Sequence, residues 1–215
     1  MNLNLGPDYP IVLLCFIIGV TVHEFGHAFM AVLCGDDTPK LQGRLTLNPL
    51  DHLDPLGTAF LAVTSFLGIG FFGWGRPVLV NTAHFRSPRW GMFWTAVMGP
   101  IMSLTLAVTC GLLARFDVFH LPEGSMFDRI LLRAVDVNFV MFAFNLIPIA
   151  PLDGSKILSA LLPIEQARSY DHFLATLGPI MFMIVILIGG YLTEPILTVA
   201  CGVILGPGYA RFPIQ

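Results

Sequence analysis

From Ile11 to Leu33 the chain runs through 23 almost unbroken apolar positions, enough to cross about 30 Å of hydrocarbon as a helix rising about 1.5 Å per residue. A polar stretch follows from Gly35 to Asp54. Inside it, Leu41-Gln42-Gly43-Arg44-Leu45-Thr46-Leu47 alternates with the period of a short strand or hairpin arm. Pro55–Phe72 is apolar again but broken by Gly57, Gly68 and Gly70, and Gly73–Asn81 reads as a loop leading into a short strand. Trp90–Leu113, Leu131–Ile149 and Phe173–Tyr191 are further spans, whereas Pro195–Leu205 is apolar but too short for an ordinary crossing helix. No repeat, low-complexity tract or linker divides the chain. One domain is therefore expected over 1–215, with core spans about 11–33, 90–113 and 131–150 and C-terminal segments about 173–191 and 195–205. The expected fold class is an all-α polytopic membrane protein with about four to six membrane segments, a small β-hairpin or strand element, and a re-entrant segment near 55–72.

Composition agrees with that pattern. Of 215 residues, 55% are hydrophobic and 12% charged, with a mean hydropathy of +0.78. Soluble domains carry about 25% charged residues, so a soluble core of this size would lack the charge to cover its surface. Net charge is −3 and the basic residues are scattered singly, which gives no footprint for nucleic acid. Cys15, Cys34, Cys110 and Cys201 sit in or beside apolar segments without C-x-x-C pairing, and read as buried small hydrophobes. Residues 1–10 hold no Lys or Arg, and the first apolar run exceeds a signal-peptide core, so a retained span is expected.

The candidate chemistry lies within that first span, in His23-Glu24-Phe25-Gly26-His27. Histidines at i and i+4 share one helix face, so their imidazoles can converge on one metal ion. Glu24 can reach a water on that metal, whose pKa zinc lowers to about 7, and can carry its proton to a leaving amine. Ionisable side chains inside a span cost roughly 2–3 kcal/mol or more each and point to function; the alternative is a pair of structural histidines bonded between helices. Zinc needs a third protein ligand and an open fourth position. His52, His84, His120 and His172 fall in loops or at span edges. Asp153 stands on a bend made by Pro148, Pro151 and Gly154, from which its carboxylate can point back into the bundle; alternatively it caps a helix over 154–162. Asp136 competes, but Arg133 stands three residues earlier and can neutralise it.

Three separated motifs resemble the site-2 protease family of intramembrane zinc metalloproteases, in its compact form without PDZ or CBS domains. They are H-E-F-G-H at 23–27, Met98-Gly99-Pro100, and N-x-x-P-x-x-x-x-D-G at 145–154. Leu45-Thr46-Leu47-Asn48-Pro49 and Gly73-Trp74-Gly75-Arg76-Pro77-Val78 look like the compact branch as well, and the likeness covers most of residues 10–160. The family's central motif usually has Ala where this chain has Met98. The resemblance implies one zinc ion per chain held by His23, His27 and Asp153, Glu24 as general acid and base, and Asn145 facing the reaction centre. It implies hydrolysis of a peptide bond in or near the transmembrane segment of a membrane-anchored protein or peptide. Gly99-Pro100 reads equally as close helix packing beside a kink or as a gap for water and substrate. Arg76–Asn81 can serve as an edge strand that holds an unwound substrate. The rival readings are a metal transporter or other non-hydrolytic zinc-binding membrane protein, and a catalytically silent scaffold.

Geometry then constrains topology. His27 and Asp153 both stand near the C-terminal ends of their spans, so they meet only if those helices run in the same direction. Pro55–Phe72 is therefore expected to re-enter rather than cross, with non-helical backbone covered by protein. Lys40, Arg44, Arg76, Arg86, Arg89, Lys156 and Arg168 then share one side against Arg115 and Arg129, which puts the N-terminus outside and the site near the cytosolic face of a prokaryotic cell membrane. The bilayer and a transmembrane substrate are the expected partners.

Overall fold

Apolar side chains all round a helix leave it nowhere stable except in lipid or inside a bundle. The first such run forms α1, Tyr9–Cys34, with Pro10 in its first turn. It stops at Gly35, whose φ of 111° lets the Gly35 and Asp36 N–H groups return to Val32 and Ala31 carbonyls. The computed structural model describes residues 8–66, 73–120 and 122–206. Beyond α1 its helices are α2 (Thr38–Leu41), α3 (Pro55–Phe66), α4 (Pro88–Arg115), α5 (Met126–Asn145), α6 (Asp153–Leu161) and α7 (Ile164–Leu205).

Side-chain pairings give the helix directions. Along α1 and α5, Asp8 meets Arg129 and Arg133, Ile11 and Cys15 pack with Ala134, and Phe16 and Val20 pack with Met141. Both series ascend, so α1 and α5 are parallel. Against α4 the order reverses: His23 meets Ser103, and His27 meets Thr95. α4 is therefore antiparallel to α1, and the chain between them leaves and returns at one level. α3 has 12 residues, about 18 Å of helix, which is short for a crossing. It descends beside α1 far enough for the Tyr9 hydroxyl to donate to the Ala62 carbonyl at 3.2 Å. Gly73 and Trp74 then lie back against Leu61 and Gly57, with room only because 57 and 73 lack a Cβ. The rest of the expected re-entrant segment, residues 67–72, lies outside the described residues.

Three expectations change. Three helices among the described residues, rather than four to six segments, are long and apolar enough to cross a membrane: Tyr9–Cys34, Pro88–Arg115 and the Ile164–Ile186 part of α7. The expected span at 131–150 belongs to α5, whose first half carries Asp128, Arg129, Arg133 and Asp136, with both arginines tied to Asp8. The two expected C-terminal segments are one continuous helix of 42 residues. No strand forms among the described residues, only an isolated antiparallel bridge between Leu53 and Gly75. The alternation at 41–47 misled because Leu41 closes α2 and lies exposed, while Arg44 turns inward and donates to the Asp51 and Arg76 carbonyls.

Candidate metal centre

On α1, His23 and His27 stand one turn apart with ring centroids 4.7 Å apart and planes near perpendicular. Their Nε2 atoms are 3.1 Å apart, and each lies 3.0–3.1 Å from Asp153 Oδ2. All three side chains are buried. Asp153 is delivered by the break between α5 and α6. Leu152 in extended backbone precedes α6, and Asp153 takes its first turn. Asp153 is thus not the helix cap, and its carboxylate points to the histidines. Gly154 is needed there for close approach: a Cβ would overlap the Leu146 and Ile147 carbonyls, and its φ is not left-handed. Asp136, the competing aspartate, pairs with Arg133 at 3.4 Å and lies in the other half of the bundle.

The donor set and spacing suit zinc. Bonds of about 2.0–2.1 Å in tetrahedral geometry place ligand atoms about 3.3 Å apart, close to the 3.0–3.1 Å seen here. The hydrogen bonds behind the rings point the same way. His27 Nδ1 must donate to the Thr95 carbonyl at 2.7 Å, which leaves the lone pair of a neutral imidazole on Nε2. That lone pair faces a carboxylate oxygen 3.0 Å away. Two acceptors at such a distance repel unless a proton or a metal ion sits between them, and a single divalent ion would satisfy all three groups.

α4 completes the site. A Cβ at Gly99 would overlap His27 Nε2 and lie 2.8 Å from His23 Nε2, so glycine there admits the imidazoles. Pro100 removes the N–H that would bind the Ala96 carbonyl, and its ring strains the helix there, loosening the turn whose Thr95 carbonyl accepts from His27. Ser103 Oγ, fully buried, lies 3.0 Å from His23 Nδ1. Thr95 and Ser103 escape a search for ligands by residue type. Their signal is spacing: positions 95, 99 and 103 are polar or small at i, i+4 and i+8 along one face of the helix.

Curated relatives carry the same chemistry in their names. "Putative zinc metalloprotease YwhC" of Bacillus subtilis is 36% identical over 201 residues, 87% of this chain and 86% of that protein. The chain belongs to this zinc metalloprotease family. Two proteins named "Putative zinc metalloprotease Rip2" agree: that of Mycolicibacterium smegmatis is 30% identical over 154 residues, and that of Mycobacterium tuberculosis 31% over 159. Each of those matches covers 72% of this chain and 58% of the relative. No family model and no solved structure matches the chain.

In this metalloprotease the Glu24 carboxylate lies beside the ligands and is half-buried, and its Oε2 accepts from the Val78 N–H at 3.2 Å. Asn145, expected to face the reaction centre, closes α5 and donates from Nδ2 to the Met141 carbonyl at 3.0 Å. The segment over Glu24 is held at both ends, by Arg76 N–H on the His52 carbonyl (2.7 Å) and Asn81 N–H on Asp36 Oδ2 (2.6 Å). Asp36, just beyond α1, is fully buried. Burial pushes its carboxyl pKa up, yet hydrogen bonds from Thr38, Asn81 and His84 together hold it below the usual value.

Ser103→Ala should weaken zinc binding about 10–100-fold, the usual effect of deleting a partner that orients a ligating histidine. Titration against a chelator of known affinity measures it, and an unchanged constant would reject the orienting role.

Proposed function

We propose that this protein is a compact site-2 protease: an intramembrane endopeptidase with one zinc per chain, cleaving a peptide bond in or near a transmembrane segment of a membrane-anchored substrate. The observation that carries it is the convergence of His23, His27 and Asp153 between apolar helices. His23 and His27 through Nε2 and Asp153 through Oδ2 would hold the metal. Zinc, when bound, supplies a Lewis acid that makes water acidic near neutral pH and polarises a carbonyl. Glu24 takes the proton from the attacking water and returns it to the amine that leaves. Burial of the ligands keeps competing water and bulk ions from the pair, and Gly99 leaves the imidazoles unobstructed. Asn145, with one amide N–H on the Met141 carbonyl, keeps its second N–H to orient a substrate carbonyl. The N-terminus lies outside the cell and the site near the cytosolic face, with α3 entering from that side.

The purified protein in detergent micelles should cleave a synthetic transmembrane peptide, lose activity to a zinc chelator, and regain it with added zinc. Zinc binding without cleavage of any transmembrane peptide would favour the transporter or scaffold readings. Among the described residues His23, His27 and Asp153 form the only such ligand group, whereas a transport pathway calls for several.

Residues 76–81 can hold the unwound substrate as an added strand. The backbone of Leu79 and Val80 makes no hydrogen bond among the described residues, and Leu79 is exposed. Val78 is the wrong place to test this, since its N–H already serves Glu24. Leu79→Pro should lower turnover about 10-fold with zinc content intact, each lost backbone hydrogen bond being worth about 0.5–1.5 kcal/mol. Unaltered turnover would reject the strand role.

A further inference from the structure

The two oxygens of Asp153 have separate partners. Oδ2 lies 3.0–3.1 Å from both imidazole Nε2 atoms, while Oδ1 accepts from the Lys156 ammonium at 3.3 Å. The pair is asymmetric in exposure: the Asp153 side chain is 7% exposed and that of Lys156 49%. Lys156 lies one turn along α6 and lines a cavity of about 540 Å³ with Ser159, Arg168 and Asp171. An exposed lysine at i+3 gains little from an ordinary surface pair. It could instead turn to water or to Asp171, which Ser159 Oγ alone contacts among these at 3.0 Å. It reaches inward to the buried carboxylate.

We propose that Lys156 is a positioning residue for the metal centre, occupying Asp153 Oδ1 so that Asp153 binds zinc through Oδ2 alone. The inference rests on the zinc site proposed above. Carboxylates bind metals through one oxygen or two, and a second oxygen would take the position that water and substrate need. An ammonium on Oδ1 makes that oxygen a poor ligand by both charge and contact. α6 is well suited to hold it, because three residues separate the two on one helix face.

Cobalt substitution tests this without recourse to activity, since four-coordinate cobalt(II) absorbs visible light more strongly than five-coordinate. The full-length protein, Lys156→Met and Lys156→Arg would be loaded with cobalt in micelles. The parent and Lys156→Arg should show the intense four-coordinate spectrum, and Lys156→Met a weaker one. With zinc, Lys156→Met should lose about 10-fold in kcat with KM within about two-fold, and Lys156→Arg should recover most of it. Loss of cobalt from Lys156→Met alone would overturn the proposal, since a carboxylate free to bind through both oxygens should hold the ion at least as well. Identical spectra in all three loaded proteins would overturn the role of Lys156 and leave the zinc site standing. Failure of the parent to bind cobalt or zinc would overturn both.

Discussion

Glu24→Gln is expected to cut peptide hydrolysis by about 10²–10⁴-fold, the usual contribution of a positioned general acid or base, while zinc stays bound. The substitution keeps the size of the side chain. A glutamine oxygen can still accept from the Val78 N–H, so the segment over the site keeps its anchor. The metal ligands are other residues, so their geometry has no reason to change. What disappears is the capacity to take a proton from water and pass it on. Zinc content by atomic absorption and cleavage of a transmembrane peptide measure the two halves independently. Turnover within a few-fold of the parent would remove Glu24 from the mechanism. Loss of zinc would instead mean that Glu24 helps to build the site.

Gly99→Ala should be as damaging by another route. The added methyl would overlap His27 Nε2 and press on His23 Nε2 from 2.8 Å. Backbone of α4 fixes the methyl, so the imidazoles or the helix must move by the better part of an ångström. Misplacement of about 1 Å can cost about 10²-fold in catalysis, and here the displaced atoms are the ligands themselves. Zinc affinity and turnover should therefore fall together by about 100-fold or more. This contrasts with Ser103→Ala, where the ligating nitrogens keep their places and only their orientation loosens. Equal affinity in Gly99→Ala and the parent would show that α4 can move away from α1 without cost.

The first metal pair was readable because its geometry is local. Residues at i and i+4 share a face of any α-helix, and α1 and α4 were visible as apolar runs long enough to cross a bilayer. Observed boundaries at Tyr9–Cys34 and Pro88–Arg115 enclose the expected 11–33 and 90–113. That the chain is a zinc metalloprotease was legible for the same reason: His23-Glu24-x-x-His27 is one contiguous stretch.

Alternation over a few residues was a poor guide. At 41–47 it suggested a strand, but Arg44 is buried to bind two carbonyls, and no neighbour supplies a ladder. Apolar length also missed what α5 carries: Arg129 and Arg133 pair with Asp8 against α1, where a charged helix in a membrane needs cover from protein.

His23-Glu24-x-x-His27, the apolar spans and the Asp153-Gly154 bend are properties of short stretches, and the sequence by itself determined them. Only the tertiary structure decided that Asp153 Oδ2, 130 residues from His23, meets both imidazoles. That meeting depends on α1 and α5 running parallel with α4 antiparallel between them, and on glycine at 99 and 154, where a Cβ would force the elements apart. The choice of Asp153 over Asp136 follows from the same packing. Arg133, itself paired with Asp8, holds Asp136 at the far end of the bundle, while the break after α5 turns Asp153 inward. Periodicity and spacing describe one helix at a time, and a site shared by three helices is set by how their backbones approach.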